Sequence, residues 1–242
     1  MSPFKKLFFQ LRLYQLLEKP ATKLLSIVHF IRFCKWMATH RQLEVNDYPT
    51  ATEYRKRYRV HEYIADQLLP HSAINYLEFG TADCETFFWW LQRNKNEASR
   101  FNGFDTFTGL PEQWGSYPKG AFSLEGNIPD VKDPRAALHK GLFQDTLHDF
   151  LKTFDNAKTN VILLDADLYS ATLFVLSTIA PFLKDGDIFI FDEFSSPQHE
   201  YLAYEDFLKS FTYLRLECFA AANNYACVAF RVQRKEGKAS EV

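Results

Sequence analysis

Residues 160–194 read NVILLDADLYSATLFVLSTIAPFLKDGDIFIFDEF. This is an apolar strand ending in acid, an amphipathic helix, a turn, and a second apolar strand ending in acid. Two parallel strands joined this way place Asp165, Asp167, Asp192 and Glu193 at neighbouring carboxyl ends. In an open α/β sheet that edge is where ligands bind. Four carboxylates brought together there repel one another unless a cation or a proton compensates.

The rest of the chain extends the same pattern. Apolar strands at 75–79, 100–105 and 160–165 alternate with helical patterns at 84–94, 146–153 and 170–183. A short strand is expected near 139–143, a further strand at 187–192 and a helix at 199–210. Such alternation predicts βαβ units and a parallel sheet. Strands at 213–219 and 225–232, joined at Asn223–Asn224, are too close for a helical crossover and must pair antiparallel. A helix at 53–69 leads into this core and stops at Pro70. The loop 106–135 exceeds the usual connection length and holds Trp114, Tyr117 and Phe122, a composition suited to covering a ligand.

Residues 1–44 stand apart. They carry eight Lys/Arg against two Glu, although the whole chain has a net charge of −2. Helices are expected at 4–18, ended by Pro20, and at 21–38. The basic, aromatic pair suits an anionic membrane surface, the main domain, or a second copy of the chain. His29, Arg32 and Lys35 interrupt its apolar run well short of a membrane span. The near-neutral whole gives no nucleic-acid signal. The four Cys show no metal-ligand spacing and read as reduced thiols of a cytoplasmic protein, with peripheral contact at the inner membrane face through residues 1–45 as the variant.

Three constellations carry chemistry. Glu78-Phe79-Gly80-Thr81 closes the first core strand; Gly80 lets a ligand approach the backbone, and Glu78 can accept from a hydroxyl or ammonium. Asp105, followed by Thr106, lies 25 residues beyond Gly80 at the end of the next strand, where an acid binds a ribose diol. A dinucleotide fingerprint wants three glycines, but Ala82 and Glu85 hold the second and third places. Asp83 and Glu85 would repel a pyrophosphate, whereas S-adenosylmethionine (SAM) is cationic and carries no phosphate, so the residues favour SAM. The third constellation is the acidic edge. Oxygens of Asp165, Asp192 and Glu193 suit a divalent cation such as Mg2+, and Asp167 suits a helix N-cap. His199, just beyond, is a candidate general base.

Together YLEFGTAD (76–83), GFDTFTGLPEQWG (103–115), KGLFQDTL (140–147), LLDADLYSATLFVL (163–176) and DGDIFIFDEF (185–194) resemble the class I SAM-dependent methyltransferases of the macrocin O-methyltransferase type. The resemblance spans about residues 55–232 and implies a doubly wound, mostly parallel seven-stranded α/β sheet of Rossmann-like methyltransferase form, its last strand antiparallel, behind an N-terminal helical extension. The expected organisation is an extension at 1–45, a methyltransferase domain at 46–233 and a flexible tail at 234–242. The resemblance implies that Glu78 and Gly80 line the methionine part of SAM, that Asp105 binds the ribose and that Asp145 sits near the adenine. It implies Mg2+ on Asp165, Asp192 and Glu193, with Asp165 also a base. The implied reaction is O-methylation of a sugar or glycoconjugate hydroxyl; a catechol-like diol, or SAM binding without turnover, are the alternatives. Two departures stand out: Cys84 replaces a family glycine and threatens to narrow the cofactor pocket, and Glu193 replaces an aspartate.

Overall fold

The computed structural model describes residues 1–235. Its strands are β1 (Val45–Asn46), β2 (Ile74–Phe79), β3 (Arg100–Asp105), β4 (Ala136–Lys140), β5 (Thr159–Leu164), β6 (Ile188–Phe191), β7 (Leu214–Ala222) and β8 (Cys227–Arg234). They form one sheet in the order β1-β7-β8-β6-β5-β2-β3-β4. Pairing is parallel except that β8 runs antiparallel to both β6 and β7. The seven expected strands are thus present, and the two-residue β1 adds an eighth at the edge.

The central strands are apolar without interruption because both of their faces are covered. β2 and β6 are buried at every position, and β5 at all but its first. Alternation sorts their side chains. Leu77, Phe79, Ile162, Leu164, Phe189 and Phe191 meet α5 (Phe143–Leu151), α6 (Tyr169–Ile179) and α7 (Glu200–Ser210) on one face. Tyr76, Val161, Leu163, Ile188 and Ile190 meet α3 (Tyr58–Tyr63) and α4 (Glu85–Arg93) on the other. Helix α3 is the middle of one helical stretch over 54–68, opened by a 3₁₀ turn and closed by a π turn.

The chain winds outward from β2 through β3 to β4, then returns to β5 on the other side of β2. The order reverses between β2 and β5, so their carboxyl ends form the switch point. Hydrogen bonds carry the register past the strands. Gly80 N–H donates to Phe104 O (2.9 Å), Asp165 N–H to Phe79 O (2.9 Å) and Asp192 N–H to Leu164 O (3.0 Å).

The N-terminal helices depart from expectation. Helix α1 (Pro3–Gln10) ends near Arg12, whose backbone is left-handed (φ 50), and α2 runs unbroken from Leu13 to Thr39 with Pro20 inside it. An interior proline frees the carbonyl four residues earlier. Here that residue is Leu16, 74% exposed, where water can serve the carbonyl. The second half of α2 belongs to the main core. His29 and Phe33 are buried, and Trp36 packs against Phe194 (4.8 Å between ring centres), Phe230 (5.9 Å) and Tyr204 (6.2 Å). Helix α1 and the first half of α2 leave Phe4, Phe9, Leu16, Leu24 and Leu25 exposed. Packing against the main core therefore begins at His29, within the stretch expected as the extension. No helix of the described residues is long and apolar enough to cross a membrane.

The β7–β8 turn docks the segment before α3. Thr50 N–H donates to Asn224 Oδ1 and Glu53 N–H to Asn223 Oδ1 (both 3.0 Å), while Asn224 Nδ2 donates to Thr50 O (2.8 Å). Both asparagines have positive φ, which this residue type tolerates better than most. β8 runs to Arg234; beyond Lys235 the expected tail lies outside the described residues.

Candidate active site

A cavity of about 570 Å³ opens at the switch point. Of the candidates from sequence, it brings together Glu78, Gly80, Thr81, Asp105, Thr106, Asp165, Asp192 and Glu193. Gly80 has φ +94, and a Cβ there would collide with the backbone carbonyl of Asp165, so the turns after β2 and β5 touch. Asp105 braces the same turn. Its Oδ2 accepts from Ala82 N–H (2.9 Å) and its Oδ1 from Phe107 N–H (2.6 Å), linking the glycine turn to the start of the 106–135 loop. Glu78 is buried and accepts from the Tyr76 hydroxyl; burial holds its pKa well above the usual carboxylate range.

The long loop folds over the cavity mouth. Trp114 stacks on Tyr117 (5.4 Å), Tyr117 packs on Phe122 (4.9 Å), and all three line the cavity. Ser170 at the start of α6 donates to Glu112 Oε1 (3.1 Å), which ties the loop to the opposite wall.

Two candidates fall outside the lining. Asp145 is exposed in the first turn of α5; β4 and α5 each begin three residues earlier than their patterns suggested, so Leu142, Phe143 and Gln144 face the cavity instead. His199 precedes α7 as its N-cap residue, beyond a turn at Ser196, and does not line the cavity. Burial lowers its pKa, and Glu112 opposes that. Asp167 does not cap α6, whose N-cap is Leu168 without a side-chain bond; it faces the cavity with φ 60. Cys84 also has a left-handed backbone (φ 65), but its side chain is fully buried in the apolar cluster on the α4 face and does not narrow the cavity.

The sequence reading missed Arg57. This residue, 5% exposed, reaches the acidic edge from the helical stretch. Its Nη1 donates to Asp192 Oδ2 (2.6 Å), and its Nη2 to Asp165 Oδ2 (3.0 Å) and Thr86 Oγ1 (2.8 Å). Burial alone would lower the Arg57 pKa, but Asp192 and Asp165 more than offset it and hold the guanidinium charged. A local pattern cannot reveal this contact, because the partners are 135 and 108 residues apart.

The three acids do not fit a divalent cation in this arrangement, which corrects the expected Mg2+ site at Asp165, Asp192 and Glu193. Two of them already hold a cation. Among the described residues, the one trio of potential ligand atoms lying within 4.8 Å of one another is His61, Asp192 and Cys227. That trio is not a metal centre either. Trp90 donates its indole N–H to His61 Nδ1 (2.9 Å), so the neutral ring carries its proton on Nε2 and has no lone pair left to ligate. Burial, with Arg57 nearby, keeps that ring neutral.

Burial and then the Asp165 charge raise Asp167 to about 8 and Glu193 to about 7. For acids raised on folding, the associated stability is complete below the ordinary carboxylate pKa and is lost as pH climbs through 7 to 8. Thermal melting of the protein without added cofactor is therefore expected to fall between pH 6 and pH 9. A flat melting profile over that range would show that both carboxylates ionise freely in the cavity.

Residues 77–194 match the family model described as a methyltransferase domain. No curated protein sequence matches the chain significantly. Among solved structures, CalS11, a calicheamicin methyltransferase, aligns at 22% identity over 72% of this chain and 76% of its own, with a TM-score of 0.53. The O-methyltransferase NovP aligns at 20% over 72% and 76% (TM-score 0.50), and a form of CmcI with Mg and SAM at 16% over 82% and 84% (TM-score 0.50). At these identities the likeness is one of fold. The matched span runs from β2 through the acids after β6, and so covers the switch point and most of the cavity wall. Residues 77–194 thus resemble a methyltransferase domain, and the fold is the Rossmann-like one of methyltransferases.

Proposed function

We propose that the protein is a SAM-dependent O-methyltransferase of the macrocin type its sequence resembles, acting on a hydroxyl of a sugar or glycoconjugate. The observation that carries the reading is the cavity at the switch point. The glycine turn and Asp105 meet there on one side, and the acids after β5 and β6 form the other. When bound, SAM supplies an electrophilic methyl group on a sulfonium. The chain's residues do the rest. Gly80 admits the cofactor against the backbone, Asp105 has oxygens at the position for a ribose diol, and the acidic wall favours a positive charge. The aromatic loop, tied down through Glu112, excludes water and holds the acceptor in line, which is where most of the acceleration in such a transfer arises.

The proton acceptor is better assigned to Asp167 than to Asp165 or His199. Asp165 is engaged by Arg57, and His199 is outside the cavity. Asp167 faces the cavity and its pKa, about 8, owes nothing to a hydrogen bond. A base with a pKa near the working pH is suited to taking a hydroxyl proton.

Calorimetry with S-adenosylhomocysteine should show one site per chain. Asp105→Ala is expected to weaken it by about 1.5–3 kcal/mol, roughly 10- to 150-fold, through loss of charge-assisted hydrogen bonds. Absence of binding by the wild type would end the reading. Release of S-adenosylhomocysteine from SAM, scored over glycosides and catechols, then assigns the acceptor. Turnover on catechols alone would favour the aromatic-diol alternative, for which the Trp114–Tyr117 stack offers a flat surface. Binding without any turnover would favour a scaffold.

A further inference from the structure

We infer that Arg57 is the resident cation of the acidic edge, standing between Asp165 and Asp192 where a divalent metal would otherwise be held, so that this chain's methyl transfer is metal-independent. The inference rests on the reading of the cavity as a methyltransferase site.

Three observations carry it. First, the guanidinium takes one oxygen from each of the two acids and stands between them, while Asp192 Oδ1 stays buried without a partner. Asp165 Oδ2 and Asp192 Oδ2 each accept from a different nitrogen of one fork, at 3.0 and 2.6 Å. Mg2+ demands near-octahedral oxygen ligands at about 2.0–2.1 Å, whereas a fork spreads its two partners across its own width. Second, the guanidinium is built in rather than draped over the site. Thr86 accepts a further bond from Nη2, and the Tyr54 ring lies 4.7 Å from the guanidinium carbon. The segment that leads to Tyr54 is pinned by Asn223 and Asn224. Third, the charge is permanent, since an arginine does not deprotonate in a protein. Arg57 thus acts as a positioning residue: it holds Asp165 and Asp192 in register and places a positive charge in the cavity wall.

The test uses the full chain and MnCl2, followed by the electron paramagnetic resonance signal of the free ion, with and without S-adenosylhomocysteine. The wild type should show no Mn2+ site tighter than on the order of 1 mM, the weak end of protein cation sites. Arg57→Ala and the bulkier neutral Arg57→Gln expose the paired acids. Each should gain one Mn2+ site at least tenfold tighter than any in the wild type. The melting temperature of each should rise with MnCl2, and both gains should vanish when Asp192→Asn is added. Arg57→Lys, which keeps the charge, should gain no such site. One tight Mn2+ equivalent on the wild type, removed by Asp192→Asn, would overturn the inference. So would a folded Arg57→Gln protein without a new site. If neither neutral variant folds, the wild-type titration decides alone. S-adenosylhomocysteine calorimetry on the same wild-type sample reports separately on the methyltransferase reading: its failure sinks that reading, while the Mn2+ titration still scores Arg57.

Discussion

Gly80→Ala is expected to destabilise the fold by about 3–5 kcal/mol and to abolish measurable S-adenosylhomocysteine binding. Two costs combine. The backbone at φ +94 disfavours any Cβ, a strain of about 1–3 kcal/mol. The added methyl also lands on the carbonyl of Asp165, which is main chain and cannot rotate away, and forced backbone shifts cost about 1–3 kcal/mol or more. Relief would have to come from parting the turns after β2 and β5, and that gap is where the proposed cofactor lies. Urea denaturation and calorimetry on one preparation check both effects. An alanine variant with wild-type midpoint and affinity would mean that the two turns are not in contact.

Trp36→Ala should also be costly, about 2–3 kcal/mol, somewhat below the cost of fully buried large-to-small changes because Trp36 is only partly buried. Trp36 sits among Phe194, Tyr201, Tyr204, Tyr225 and Phe230, although it belongs to a helix whose first half is exposed. Removing residues 1–28 should by contrast shift the urea midpoint little, because those residues contribute almost nothing to the core. Removing 1–45 should cost as much as Trp36→Ala or more, since it also takes Phe33 from the core and Val45 from β1. If both truncations melted like the full chain, the core role of α2 would be refuted.

The contrast within α2 shows what the sequence reveals and what it hides. β5, α6 and β6 could be read directly, because strands covered on both faces must be continuously apolar and must stop where the acids begin. Gly80 and Asp105 were legible for a related reason: backbone geometry and strand order fix their places. β4 begins three residues before its pattern suggests, since its five residues are only partly buried and leave a weak signal, and Asp145 lies outside the cavity lining with the same shift in α5. The unbroken α2 was obscured by Pro20, which ordinarily ends a helix. Arg57 left no local trace. YRKRYRV reads as the solvated start of a helix, and only the folded chain shows that one of its four cations is buried against two acids more than a hundred residues away.

The asparagine pair that caps the last hairpin has an influence beyond that hairpin. By gripping residues 50–53, it sets the launch point from which Tyr54 and Arg57 reach the cleft. A remote turn near the carboxyl end of the fold therefore works as a gauge block for the electrostatics of the opposite wall. Loosening it would first alter how the cleft receives a charged guest, well before the sheet itself came apart.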